Sequence, residues 1–187
     1  EPENLGLLAL MLLQDSRREA RLSPRGELVT LEEQDRSLWD QKEIEEGLTL
    51  LRRALNLRSA GPYQLQAAIA SLHALAKSAS ETDWAQIGQL YGELLRIQPS
   101  PIVALNQAVA VAMSEGPERG LALVEVAGAS GRLDKYPLFH SARADLLRRL
   151  RRWKEAAAAY RQALSLTENQ VERQYLQRRL DEVGASS

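Results

Sequence analysis

Chemistry in a chain of 187 residues needs a nucleophile beside a base, a set of metal ligands or a loop that cradles phosphate, and few residues here qualify. There is no cysteine, which removes disulfides, thiolate nucleophiles and sulfur-ligated zinc, and only His73 and His140 carry imidazoles. The GxSxG, P-loop, GxGxxG and HExxH patterns are absent. The acid pairs Glu32–Glu33 and Glu45–Glu46 are adjacent in sequence, so on a helix they diverge by about 100° and do not converge as acid and base. No catalytic residue, metal ligand or cofactor is expected, and the chain is read as a non-enzyme.

Two polar groups point to recognition instead. Gln34, Asp35 and Arg36, followed by Trp39 and Asp40, crowd the start of a helical segment. Asp35 is expected to cap that helix and to pair with a neighbouring Arg, and the whole block is a candidate contact to a second domain. Gln66, Asn106, Asp145 and Arg148 form the other group; in the repeat register derived below they face a concave groove. An amide, a carboxylate and a guanidinium there can grip a peptide backbone or a charged terminus. The run Arg148-Arg149-Leu150-Arg151-Arg152 has the charge for phosphate contacts but no interleaved stacking aromatics. In a chain with 24 basic and 25 acidic side chains, it reads as a solvated turn with cations at a helix C-terminus. His73 and His140 read as interior histidines among Ala and Leu, and Trp39, Trp84 and Trp153, at or near helix starts, as core.

The elements that must position these residues are helical. Leu (33) and Ala (26) far outnumber Val, Ile and Thr, which together number 17. A first helix is predicted from about Pro2 to Arg21, with Leu5, Leu8, Leu12 and Leu13 on its core face. The apolar run Leu5 to Leu13 lacks the cationic flank and cleavage site of a signal peptide and is far short of a membrane span, so a cytoplasmic protein is expected. Ser23-Pro24-Arg25-Gly26 is turn chemistry, and Leu28 to Leu31 is a short extended strip. From about Glu32 to Arg58, Ile44, Leu48, Leu51 and Leu55 recur at helical spacing, as one long helix or two shorter ones. Residues 1–58 are expected to pack as helices and an ordered loop on repeats that fill 59–187.

Those repeats announce themselves by period. Trp84 and Tyr91 lie 69 residues before Trp153 and Tyr160, one 34-residue step plus one of 35, and Gly120 to Val126 occupies the slot between. A 34-residue helix-turn-helix period is the mark of tetratricopeptide repeats. Small Ala156 permits close approach of the paired helix, Tyr160 fills the space between helices, and Ala163 lets the next repeat stack. Lys77 to Thr82 lengthens one connection, so the repeat there is divergent, and 169–183 is a capping helix. The fold class expected is all-α, a tetratricopeptide-like superhelix of stacked antiparallel helix pairs.

Longer strings carry a more specific likeness. Leu7 to Leu13, Gly26-Glu27-Leu28-Val29, Leu31 to Asp40, Gly61 to Ala70, Thr82-Asp83-Trp84, Ser100 to Ala110 and His140 to Leu147 together resemble the C-terminal extension of extracytoplasmic-function (ECF) bacterial RNA polymerase sigma factors. That resemblance implies a tetratricopeptide-like regulatory domain acting on sigma activity in transcription initiation. The implied partners are the sigma factor's N-terminal domains, RNA polymerase or another regulatory protein. Neither direct nucleic acid contact nor membrane association is expected of this segment, because the promoter-reading and polymerase-binding parts of such proteins precede the extension. The alternative is a free-standing tetratricopeptide adaptor that binds a peptide or protein terminus.

Overall fold

The computed structural model describes residues 1–57 and 60–185, and among them α-helices dominate. The chain divides into two compact units, Glu1–Pro99 and Ser100–Ser187. The boundary expected between 58 and 59 falls on residues outside those described. Among the described residues the extended strip makes a single antiparallel bridge, Leu22 to Leu28, across a turn whose Gly26 has φ +76°.

In the first unit, α1 (Pro2–Asp15) packs against both α2 (Gln41–Asn56) and α3 (Pro62–Leu75), and α4 (Trp84–Ile97) packs on α3. Pro2 opens α1, and the helix ends at Ser16, whose hydroxyl donates to the Leu13 carbonyl at 2.8 Å; a 3-10 turn at Arg18–Ala20 follows. Of the leucines expected on the core face of α1, Leu13 is buried and the others are not. Gly6, Ala9 and Leu13 are buried, whereas Leu5 and Leu12 are only partly covered and Leu8 is 44% exposed. The reason is close approach: a Cβ on Gly6 would sit 2.8 Å from Gln64 of α3, and one on Gly47 of α2 would sit 2.9 Å from the Leu13 side chain. A helix wedged between two others at that distance must present its small residues.

The segment ahead of α2 resolves into 3-10 turns at Leu31–Glu33 and Arg36–Leu38, so the helix itself is shorter than the 32–58 span suggests. Ile44 and Leu51 are buried on α2, but Leu55 is 46% exposed. A further polar tie holds this unit. The Glu3 carboxylate accepts from the backbone N–H groups of Tyr63 (2.9 Å) and Gln64 (3.3 Å), placing a negative charge at the start of α3. A Cβ on Gly61 would fall 2.3 Å from that carboxyl carbon.

The second unit is a succession of neighbouring helix pairs. α5 (Pro101–Glu115) packs on α6 (Pro117–Gly128), α7 (Pro137–Arg149) on α8 (Trp153–Leu166), and α9 (Gln170–Ala185) on α8. Proline begins α5, α6 and α7, where its missing N–H costs nothing. A Cβ on Gly120 would lie 2.2 Å from that of Ala112, and one on Gly128 would lie 2.4 Å from the Phe139 ring, so glycine sets the spacing from α6 to both α5 and α7. Ala156, Tyr160 and Ala163 are all buried in one continuous core, as the repeat register requires. The fold is all-α and tetratricopeptide-like.

Candidate functional site

The block at 34–40 is laid out by caps. Asp40, not Asp35, starts α2, accepting from Lys42 N (2.9 Å) and Glu43 N (3.1 Å). Asp35 instead caps the 3-10 turn, accepting from the backbone N–H of Ser37 at 2.9 Å and from its hydroxyl at 2.7 Å. Those two bonds hold the Asp35 carboxyl below its ordinary range. The expected ion pair with a neighbouring Arg is replaced by other contacts. Arg36 stacks 4.4 Å from the centre of the Trp39 ring and donates to the His73 carbonyl of α3 at 2.6 Å. Trp39 is 3% exposed and packs with Leu13, Ala20, Ile44 and Ala70. Gln34 donates to the Val29 carbonyl at 3.4 Å.

Around this block the structure gathers residues that the sequence did not group. Arg17, just past the end of α1, lies 5.8 Å from the Trp39 ring centre. The His73 ring meets Trp84 edge-on at 5.1 Å. Burial, and then the nearby Arg17 and Arg36 charges, bring the His73 imidazole down to about 4, so it is neutral at physiological pH. Burial also lowers both Arg17 and Arg36 from their ordinary values, with Arg21 and Arg36 adding repulsion at Arg17. The Arg17-x3-Arg21 spacing was visible in the sequence, but its convergence with Arg36 and His73 needs the packing of α1 on α3.

The candidate groove residues are divided between the two units. Gln66 is half-buried on α3. In the second unit Asn106 is exposed on α5, and α5 touches α7. On α7, Arg148 donates to Asp145 at 2.5 Å across one turn, so these two are held together. Burial is the largest single influence on Arg148 and opposes its charge, but Asp145 and Tyr160 together outweigh it and raise the group. Below them, burial and then Asp145 push the Tyr160 hydroxyl up to about 12. Arg148 lies near enough to ease that burial, but neither Arg148 Nε nor the Tyr160 hydroxyl completes a hydrogen bond.

The remaining arginines of the basic run have local partners. Arg149 reaches Met113 Sδ at 3.4 Å and Arg152 bonds Glu155 at 2.6 Å. Arg151 adopts φ 58° where α7 closes, with Arg151 N donating to Arg148 O and Arg152 N to Leu147 O, both at 2.9 Å. That is a helix-ending turn. His140 bonds the Asp134 carbonyl at 2.7 Å and packs edge-on against Phe139.

Stacked helix pairs define a helical scaffold of the kind that binds proteins. Comparisons with known proteins agree with that class. Residues 137–170 match the tetratricopeptide repeat, and residues 1–55 match a family of unknown function (DUF6596). Uncharacterized protein R00370 of Rhizobium meliloti (strain 1021) is 48% identical over 185 residues, covering 99% of this chain. The chain spans 43% of the length of that relative. No solved structure matches. Among the described residues no helix is long and apolar enough to cross a membrane, and no group of three or more His, Asp or Glu is placed to hold a metal ion.

Proposed function

We propose that the chain is the regulatory, protein-interaction part of an ECF sigma factor, lying C-terminal to the promoter-reading domains and modulating sigma activity in the cytoplasm without catalysis of its own. The observation that carries this reading is the joining, in one chain, of a segment matching DUF6596, a family found in sigma-factor-like proteins, to a tetratricopeptide repeat. The relative's length leaves room for further domains outside the matched region. Exposed or half-buried polar side chains on α5 and α7, Asn106, Asp145 and Arg148, support a partner-binding role.

The test is transcription from a sigma-dependent promoter with the full-length protein and with a version lacking residues 1–187. A change of severalfold in either direction is expected. Equal transcript levels in vitro and in cells would overturn the regulatory role.

A further inference from the structure

At one end of the first unit two guanidiniums lie without an ion-paired carboxylate among the described residues, and the nearest acid whose charge reaches either is Glu32, acting on Arg36. Each guanidinium has five N–H donors. Arg36 uses one on the His73 carbonyl at 2.6 Å and Arg17 uses one on Gln14 Oε1 at 2.5 Å, and neither makes an ion pair with a carboxylate among the described residues. Arg21, exposed beside Arg17, bonds the Gln14 carbonyl at 2.6 Å and its charge acts on Asp15. Burying a charge this way is costly unless something pairs with it.

The polar atoms nearby are incomplete as well. Trp39 Nε1, His73 Nδ1 and Gln34 Oε1 are buried and have no hydrogen-bond partner. So is the Thr82 hydroxyl, two residues before Trp84, where the turns Leu31–Glu33 and Ala79–Glu81 lie against each other. Buried polar groups are ordinarily satisfied; of these orphans the Trp39 and His73 ring nitrogens and the Thr82 hydroxyl can donate to an acceptor, whereas Gln34 Oε1 itself needs a donor. Arg17 and Arg36 are only half-buried, so they remain reachable from solvent.

We infer that this end of the first unit is a docking point for an acidic side chain, an aspartate or glutamate presented by a protein partner and held by Arg36 and Arg17 beside the Trp39 ring. A carboxylate suits the guanidinium fork. A polyanion such as nucleic acid does not suit the surroundings, because Glu32, Glu33, Asp35 and Glu81 are exposed on the flanking turns and repel a line of phosphates. The inference is independent of the sigma-factor reading, since its test involves no transcription.

The 187-residue chain, labelled with nitrogen-15, is titrated at constant ionic strength with the blocked peptide acetyl-Gly-Glu-Gly-amide, with its glutamine analogue, with inorganic phosphate and with a short single-stranded DNA, while the Trp39 indole N–H resonance is followed. The glutamate peptide is expected to shift that resonance saturably and the glutamine analogue to leave it in place. Arg36→Gln is expected to weaken binding about tenfold. Arg17→Gln, which leaves the bond to His73 intact, serves as a second variant should Arg36→Gln unfold. No saturable shift, an equal response to the glutamine analogue, unchanged binding by folded variants, or tighter binding of phosphate or DNA than of the glutamate peptide would each overturn the inference.

Discussion

The two units solve the same packing problem in opposite ways. In the second, one continuous core runs from Leu105 to Val183, and each helix rests on its neighbour in sequence. In the first, the apolar core is broken into two small clusters, around Trp39 and around Leu51, and contacts between residues far apart in sequence complete it. Glu3 reaches Tyr63 and Gln64, and Arg36 reaches His73. Repetition lets a short Ala-rich signature be reused, because each pair meets the same surroundings. A unit without strict repetition has to specify its geometry with individual polar bonds, and those bonds make it sensitive to single changes of charge.

Tyr160→Ala is expected to have the largest effect, removing a ring that is 1% exposed from the middle of the second unit's core at a cost of about 4 kcal/mol. Urea unfolding followed by hydrogen exchange in α8 measures it. Tyr160→Phe sharpens the point: the buried hydroxyl completes no hydrogen bond and has only the nearby Arg148 charge to lose, so this variant should stay within about 1 kcal/mol of the parent.

The first unit should respond to pH through His73. The folded state holds His73 near 4 against an ordinary 6.5, so between these values the unfolded chain takes up a proton that the folded chain refuses. The stabilisation is complete above 6.5 and is lost as pH falls toward 4, by up to about 3 kcal/mol. Exchange of the α3 amides should show that slope, and His73→Phe should flatten it. An equal slope in α8 would dissolve the contrast between the units.

Glu3→Gln keeps the shape but removes the charge at the start of α3, and a loss of about 1 kcal/mol is expected from thermal unfolding. Smallest, and of opposite sign, is Arg151→Gly. Arg151 sits at φ 58°, a conformation glycine adopts without strain, so the substitution should stabilise the α7–α8 turn by about 0.5–1 kcal/mol.

The repeats were readable because their period is local. Trp84 and Trp153, equated from spacing alone, are the first residues of α4 and α8, two helices of 14 residues each. Ala156, Tyr160 and Ala163 occupy the buried positions their sizes suit. The block at 34–40 was visible as an unusual cluster, but its bonding was not: Asp35 and Asp40 are both plausible caps by type, and only the path of the chain assigns α2 to Asp40. On α1 hydrophobicity pointed to the leucines, whereas the gap between α2 and α3 admits only Gly6 and Ala9 beside Leu13.

Composition, the Trp and Tyr spacing and the Ala positions therefore determined the helices, their antiparallel pairing and the tetratricopeptide-like class, since all three depend on neighbours within a few tens of residues. Tertiary structure alone decided where charge is left unmatched. Arg17, Arg36, Trp39 and His73 span more than fifty residues of sequence and meet only because α1 packs on α3 and the 34–40 turn folds over their junction. A guanidinium's partner is set by distance in space, and no local pattern encodes a missing one.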